Sequence, residues 1–427
     1  MIEEKEYKAR REKLIEKLDE HSISILFSAE PKSRSNDTEY PYRQNSNFYY
    51  LTGFKEDSAA IVIVKKKSKA KTYLFVAKKE PALELWTGKR LGVEGAKEIF
   101  SFDEVFEYET LQTFFRENIV EKQTLYYDFS HNCEAHNSIV SLCKNFYAYK
   151  NLAKKIAKAR LIKSSAEIAI IRKALSITQE AHHRAMSVVP KLQYEYELQA
   201  EIEYIFKKNG AYSDAYTSIV ASGNAANTLH YISNDKAIKK GELLLIDAGC
   251  EYDYYSSDIT RTIPADGLFS QAQKELYSLV LDVEKEIISM IKPGVMRSAL
   301  HTKSEELLCE GMVRLGILKG KVKKLLKEKK HKAFYPHGIG HWMGLDVHDE
   351  ALYKNKKAKE IPLQEGMVLT IEPGIYLDEE NETVPQKYKG IGIRIEDDIL
   401  VTSQGCENLS KNIMKEIKDI ESLGKKK

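Results

Sequence analysis

Two segments of the chain, Gly241–Gly249 (GELLLIDAG) and Gly366–Gly374 (GMVLTIEPG), match each other position for position. In each, a glycine opens an apolar run that ends in a carboxylate, Asp247 or Glu372, and a second glycine follows two positions later. Short apolar runs bounded by turn residues are typical of buried β-strands. One acid closing such a run could be a turn or capping residue, but two copies indicate a duplicated fold with internal pseudo-two-fold symmetry.

The first copy is followed by a second aspartate. Asp247 and Asp258 flank a polar, turn-like stretch, and the residues around Asp258 (SSDITRTI) are typical of a returning strand. A hairpin that turns about Tyr252 and Asp253 would place the two aspartates directly opposite each other, with Cβ atoms about 4.5–5.5 Å apart. Like charges at that distance repel unless a cation lies between them. The pattern therefore predicts a metal ion.

The second copy has a matching partner strand. In Gly390–Asp398 (GIGIRIEDD) isoleucines occupy alternate positions, which indicates a strand with one apolar face. The other face carries Arg394 and Glu396 side by side, so Glu372 and Glu396 would repeat the paired acids. Arg394 is either a functional residue or a salt-bridge partner of Glu396.

A third element is Tyr335–His348 (YPHGIGHWMGLDVH), which carries three histidines. His337 and His341 have the spacing of a zinc-protease helix, but no glutamate follows His337 and the interspersed glycines disfavour a helix. We therefore expect a loop. His348, beside Asp349, could also be a structural histidine.

Four carboxylates and at least one imidazole suit two divalent ions held mainly by oxygen, above all manganese, with cobalt, iron and zinc as alternatives. Two ions about 3.5–4 Å apart can share a bridging hydroxide and polarise a carbonyl. The pattern thus predicts metal-assisted hydrolysis.

The length of 427 residues indicates two domains, and the net charge of +3 gives no reason to expect a nucleic-acid partner. The basic stretch Lys321–Lys332 has apolar residues at helical spacing, so an exposed helix face is favoured over a nucleic-acid site. No segment reaches membrane-spanning length or resembles a signal peptide. The cysteines are odd in number, scattered and without a C-x-x-C pair, which predicts a reducing, cytoplasmic location; they are Cys133, Cys143, Cys250, Cys309 and Cys406.

The first part of the chain mixes helix and strand signals. The charge-alternating N-terminus predicts an amphipathic helix, and Ala59–Val64 and Thr72–Ala77 predict buried strands. Ser164 with Glu167 three residues later forms a capping box that opens a long helix. We place the domain boundary just before it, giving an accessory domain over 1–160 and a catalytic domain over 161–427.

Taken in order, these acids and the histidine loop resemble the pita-bread metallopeptidase family, which includes methionine aminopeptidase, prolidase, creatinase and aminopeptidase P. The resemblance implies an N-terminal creatinase-like α/β domain and a C-terminal α+β pita-bread domain. It also implies a ligand set for two metal ions per subunit: Asp247, Asp258, His341, Glu372 and Glu396.

Within the family, Asp37–Phe54 (DTEYPYRQNSNFYYLTGF) is similar to the accessory domain of the aminopeptidase P group. Without the family it predicts only a polar loop that leads into an aromatic strand. The implied activity is hydrolysis of the bond between an N-terminal residue and a following proline. The expected partners are peptides with proline in second position, without nucleic acid or membrane.

The resemblance further implies roles around the metals. His230 and His348 would contact the scissile carbonyl or the tetrahedral intermediate from two sides, and His337 would line the pocket. Glu372 would also take the proton of the attacking water. Tyr376 would contact substrate.

Three other residues receive roles in the same way. Arg394 and Asp37 would belong to a hydrogen-bonded chain that reaches toward Asp247. Trp86 would contribute to the substrate cleft of a neighbouring subunit, in a homodimer or homotetramer. The alternative is that it packs onto its own domain.

Other activities on this fold are disfavoured to different degrees. A prolidase, which cleaves only Xaa-Pro dipeptides, shares the ligands and is the nearest alternative. Methionine aminopeptidase does not require so long an N-terminal domain, and creatinase does not use the metals. A non-catalytic peptide- or protein-binding module would have lost ligands that this sequence retains.

Overall fold

The computed structural model of the protein describes residues 2–119, 123–129 and 146–424. The chain forms two compact units, Met1–Arg160 and Leu161–Lys427. Cys133, Cys143 and the tail 425–427 lie outside the described residues. The other cysteines are free thiols, which are Cys250, Cys309 and Cys406.

The first unit is built on a mixed six-stranded sheet in the order β6-β5-β4-β1-β7-β8. Neighbours among β1, β4 and β5 are antiparallel, and β6, β7 and β8 are added in parallel. The two apolar runs predicted as strands are confirmed as β4 and β5. With the short β2–β3 ribbon, the strands are β1 Ser22–Phe27, β2 Ser33–Ser35, β3 Thr38–Glu39, β4 Ala60–Lys66, β5 Lys69–Val76, β6 Glu104–Glu107, β7 Thr124–Tyr127 and β8 Ala148–Asn151.

The predicted N-terminal helix is confirmed as α1. Its buried face contains Tyr7 and Leu14 but also Arg10 and Arg11. The Arg11 guanidinium donates to the carbonyl of Leu51 at 2.8 Å and forms an ion pair with Glu4 at 2.8 Å, and these partners accommodate its charge there. The helices of this unit are α1 Glu4–Ile15, α2 Ser46–Thr52, α3 Pro81–Thr87, α4 Gly92–Ile99, α5 Leu111–Asn118 and α6 Ala153–Arg160.

The aromatic stretch expected to be a strand is helix α2, so that prediction is wrong. The Asn45 side chain caps the helix by accepting from the Phe48 amide at 2.9 Å. Gly53 ends it in the left-handed conformation, with φ of 68°. Every residue of α2 is buried, and capping at both ends outweighs the β-propensity of its aromatic residues.

The second unit begins with the predicted capping box, which the structure confirms. Ser164 and Glu167 exchange side chain–backbone hydrogen bonds at the start of α7. The basic stretch includes a short helix, α11, of which Leu325 is the buried residue. The helices are α7 Ser165–Val188, α8 Glu195–Lys208, α9 Gln271–Ser289, α10 Arg297–Arg314, α11 Val322–Lys327 and α12 Ile417–Gly424. None of the described helices is long and apolar enough to cross a membrane.

The strands of this unit form small antiparallel sheets in the orders β10-β11-β14, β13-β12-β9, β15-β18-β19 and β16-β17. They are β9 Ser213–Asp214, β10 Ile219–Ser222, β11 Leu243–Asp247, β12 Cys250–Tyr252, β13 Tyr255–Ser256, β14 Thr260–Pro264, β15 Val368–Ile371, β16 Gly374–Leu377, β17 Ile391–Arg394, β18 Asp397–Val401 and β19 Cys406–Asn408. One continuous apolar core joins these sheets to α7, α8, α9 and α10.

Candidate active site

The first repeat is a hairpin, but its register differs from the predicted one. Asp247 lies opposite Thr260, not Asp258. The turn is centred on Asp253 and Tyr254, whose φ angles of 47° and 71° are both left-handed. This is the conformation of a two-residue type I′ turn, and it moves the turn one residue along the chain. Asp258 therefore lies near Asp247 without being its cross-strand partner.

The second repeat has the predicted register. Ile371 pairs with Asp397, and Gly374 pairs with Arg394. The same register, continued between these pairs, places Glu372 opposite Glu396. The amide of Glu396 donates to the carbonyl of Thr260 at 3.1 Å, which joins this hairpin to the returning strand of the first.

Three of the predicted ligands converge on one point. Ligand atoms of Asp258, His341 and Glu396 all lie within 4.8 Å of one another, and they form the candidate metal-binding group found among the described residues. The Nε2 atom of His341 is 3.2 Å from Asp258 Oδ2 and 3.9 Å from Glu372 Oε1. A cluster of two carboxylates and one imidazole is a donor set that suits a divalent cation.

Asp247 is held by two side chains. Tyr216 donates its hydroxyl to Oδ1 at 2.6 Å, and Arg394 donates Nη2 to Oδ2 at 2.6 Å. Arg394 also donates Nε to Thr260 Oγ1 and Nη1 to the hydroxyl of Tyr376. The Arg394 guanidinium thus forms an ion pair with Asp247 of the first repeat. The sequence had also allowed a salt bridge between Arg394 and Glu396.

The concentration of acids changes how these groups titrate. Burial raises the pKa of Glu372 to about 7, and the nearby Asp258 and Asp247 carboxylates act in the same direction. Burial and then the Asp258 carboxylate hold the pKa of Glu396 well above its usual range. Burial alone would lower the pKa of His341, but its bond to Asp258 and the surrounding negative charge raise it to about 9. A bound cation would relieve this crowding of negative charge.

The histidine segment is a loop, as predicted. His341 is positioned by backbone pairing with β15, because Thr370 donates its amide to the His341 carbonyl at 2.9 Å. A Cβ at Gly340 would lie 1.9 Å from the Thr370 carbonyl oxygen, so only glycine permits this approach. The rings of His341 and His348 are 4.1 Å apart between centroids.

His337 lies in the first part of the same loop. Its Nε2 is 2.8 Å from the hydroxyl of Tyr376, and its Nδ1 is 3.6 Å from Glu372 Oε2. Burial, followed by the charge of Arg394, lowers the pKa of His337 to about 3, which favours the neutral ring. Burial and the neighbouring His341 also lower the pKa of His348.

The predicted ligands and the three histidines of the loop border one cavity of about 510 Å³. The five predicted ligands line it, together with His230, His337, His348 and Arg394. Part of its wall is apolar, formed by Ile219, Leu229, Ile232 and Val347. His230 is exposed on a loop that follows β10, where solvent and substrate could both reach it.

Three predicted residues are not among those that line this cavity. Tyr376 is 6% exposed, and it lies behind His337 and Arg394 rather than on the cavity wall. Asp37 is exposed in the turn between β2 and β3 of the first unit. Trp86 is also in the first unit, on α3, and is 85% exposed, so it does not pack into the core of its own domain. The functional roles of all three stay predictions.

The structure also brings to the site several residues that were not predicted from the sequence. Tyr216 lies 31 residues before Asp247 in the sequence, and no spacing rule connects them. Thr260 donates to Glu396 Oε2 at 2.7 Å, and Asp398 accepts from the Asp258 amide at 3.1 Å. Thr260 could have been found, since it is a polar residue in a buried strand beside a predicted ligand.

The fold and the site define a two-unit metallopeptidase, and comparison with known families agrees. Residues 169–403 match the model of metallopeptidase family M24, and residues 7–126 match that of the aminopeptidase P N-terminal domain. The chain belongs to metallopeptidase family M24.

Individual relatives are similar over the whole length. The Xaa-Pro aminopeptidase of Haemophilus influenzae is 39% identical, over 99% of this chain and 97% of that protein. The structure of Escherichia coli aminopeptidase P with the inhibitor Pro-Leu has a TM-score of 0.94 and 37% identity, and covers 99% of this chain and 98% of that one. A zinc-substituted E. coli aminopeptidase P in complex with product has a TM-score of 0.94 and 37% identity, over 100% of both chains.

Proposed function

We propose that this enzyme hydrolyses the peptide bond between an N-terminal residue and a following proline. The observation that carries the proposal is the convergence of Asp258, His341 and Glu396 in a cavity that also exposes His230 and His348. The similarity to Xaa-Pro aminopeptidases along the full chain supports the specificity for proline.

The chemistry of the donor set supports a divalent metal centre. Asp247, Asp258, His341, Glu372 and Glu396 would hold two ions, and carboxylate-rich sites of this kind suit manganese. When bound, the metal supplies Lewis acidity for the scissile carbonyl and lowers the pKa of the attacking water. Burial and neighbouring carboxylates raise the pKa of both Glu372 and Glu396, so the cluster favours added positive charge.

The chain's own residues handle protons and orientation. Glu372 lines the cavity beside the other predicted ligands, and its carboxylate would accept the proton of the attacking water and pass it to the proline nitrogen. His230 and His348 line the same cavity and would donate hydrogen bonds to the developing oxyanion. The hydrogen bonds from Tyr216 and Arg394 fix the orientation of Asp247.

The apolar part of the cavity wall suits a peptide bond to proline. An Xaa-Pro bond has no N–H, and its ring restricts the backbone, so a pocket for it needs apolar surface more than a hydrogen-bond acceptor. The wall formed by Ile219, Leu229 and Ile232 offers such a surface beside the carboxylates.

An assay on defined peptides tests the proposal. Chelated enzyme with manganese restored should cleave an Xaa-Pro-Xaa tripeptide at its first bond and leave the matched Xaa-Ala-Xaa peptide intact. Cleavage of the Xaa-Pro dipeptide alone would identify a prolidase instead. Stoichiometric metal in the purified protein is expected, and its absence together with inactivity would favour a binding module.

We also propose a homo-oligomer, dimer or tetramer, in the cytoplasm. The apolar side chains of Leu83, Leu85 and Trp86 are 56%, 83% and 85% exposed on α3, a density of apolar surface that suits contact with another subunit. Trp86→Ala should weaken binding of peptides that extend beyond proline and leave thermal stability nearly unchanged. Sedimentation as a monomer at assay concentration would contradict the proposal.

A further inference from the structure

The carboxylate of Glu195 is buried and fully engaged. Glu195 is the first residue of α8 and is 0% exposed. Oε1 accepts from the amide and hydroxyl of Ser222 at 2.7 and 2.6 Å. Oε2 accepts from the hydroxyl of Tyr231 at 2.8 Å and the amide of Lys236 at 2.9 Å. An acid in the first turn of a helix is favoured by the helix dipole, but that effect does not require burial or these partners.

The four donors belong to one segment, residues 222–236, which we call the His230 loop. Ser222 begins it, Tyr231 directly follows His230, and Lys236 ends it. Backbone bonds reinforce the closure, because the Glu195 amide donates to the Lys236 carbonyl at 3.0 Å. One carboxylate therefore ties both ends of the loop to α8.

The rest of the loop is fixed by other contacts. Asn234, with φ of 48°, accepts from the Val220 amide at 2.9 Å and donates to the Ser218 carbonyl at 2.7 Å. On the opposite side, a Cβ at Gly392 would lie 2.6 Å from the carbonyl oxygen of Ala226, so the loop backbone packs tightly on the second repeat. The exposed imidazole of His230 is thus carried by a rigid support.

We propose that Glu195 is a positioning residue for catalysis that acts through His230. This inference rests on the proposed function, in which His230 contacts the reacting carbonyl. An imidazole that stabilises a transition state must be held within a fraction of an ångström, and displacement of about 1 Å can cost about 100-fold in rate. In Glu195→Gln, a single amide oxygen would face four donors, so at least one amide or hydroxyl of the loop would lose its acceptor.

A double-mutant cycle with His230→Ala separates positioning from general destabilisation. Glu195→Gln should lower kcat by about 10–100-fold with little change in KM, because the loss is in the transition state. In the His230→Ala background the same change should cost less than about twofold, since the residue it positions is gone. The matched control is Glu197→Gln, whose carboxylate accepts from the backbone of Gln193 and Tyr194.

Hydrogen exchange gives a readout that needs no substrate. Amides of residues 222–236 should exchange faster in Glu195→Gln than in Glu197→Gln. The inference would be overturned if Glu195→Gln lowered kcat equally in the wild type and in the His230→Ala variant. Unchanged hydrogen exchange of the His230 loop in Glu195→Gln would also overturn it. If Glu195→Gln does not fold, Tyr231→Phe removes one of the four donors and carries the same cycle. A wild type that does not cleave Xaa-Pro peptides would overturn the proposed function, while the exchange experiment would still decide whether Glu195 fixes the loop.

Discussion

The two repeats share a backbone plan but arrange their acids differently. Both open with a left-handed glycine, at φ of 82° for Gly241 and 85° for Gly366. In the second repeat the register places Glu372 opposite Glu396, while in the first Asp247 faces Thr260. A type I′ turn that begins one residue later is enough to produce this difference. Near-symmetric folding can therefore give an asymmetric site.

Each repeat also sends one arginine to the other. Arg394 of the second repeat pairs with Asp247, within the cavity. Arg261 of the first repeat pairs with Asp397 at 2.6 Å, and the side chains of both residues are 0% exposed. Arg261 also donates to the Glu396 carbonyl at 2.6 Å. One arginine orients a predicted ligand, and the other holds the backbone behind the site.

The largest effect on metal binding is expected at Asp258, the acid that the hairpin register does not place opposite Asp247. Asp258→Ala should reduce metal affinity by more than about 100-fold, beyond the 10–100-fold typical of residues that only orient ligands. Activity should fall to background while circular dichroism stays native. Metal content after dialysis is the measurement, and Asp282→Ala on the exposed face of α9 is the control. Normal metal content in Asp258→Ala would refute its assignment as a ligand.

Arg261→Met should cost stability rather than catalysis. Its loss leaves Asp397 buried, paired with Lys415 among the described residues, and breaking a buried ion pair costs about 3–5 kcal/mol. Urea unfolding measures the loss. The kcat of the protein that remains folded should stay within a few-fold of wild type. If Arg261→Met were stable but had a strongly reduced kcat, the assignment of a structural role to Arg261 would be wrong.

Arg394→Lys should show the opposite behaviour. A lysine cannot reproduce the three directed hydrogen bonds to Asp247, Thr260 and Tyr376, so metal affinity or kcat should fall by about 10–100-fold. Because the positive charge beside Asp247 is kept, the melting temperature should fall less than in Arg261→Met. The test is to measure kcat and the unfolding midpoint of both arginine variants. If the two variants lost kcat and stability to the same extent, the two arginines would not have distinct roles.

Features encoded by local patterns could be predicted from the sequence. The capping box at Ser164, the buried strands β4 and β5, and the register of the second repeat are confirmed. The first register could not be predicted, because Asp253 and Tyr254 adopt left-handed φ without a glycine to signal it. Tyr216 was missed for a different reason, since its bond to Asp247 depends on how β10 pairs with β11.

The smallest expected effect concerns the opening glycines, which look equivalent in sequence. At Gly241 an added Cβ would meet nothing within 4 Å, so Gly241→Ala should cost only the left-handed backbone penalty of about 1–2 kcal/mol. At Gly366 the Cβ would lie 2.8 Å from Cγ2 of Ile162, a β-branched side chain with little freedom at χ1. Gly366→Ala should therefore cost about 1–3 kcal/mol more. Urea unfolding of the two variants measures the difference, and equal losses would show that the repeats are alike in packing as well as in backbone.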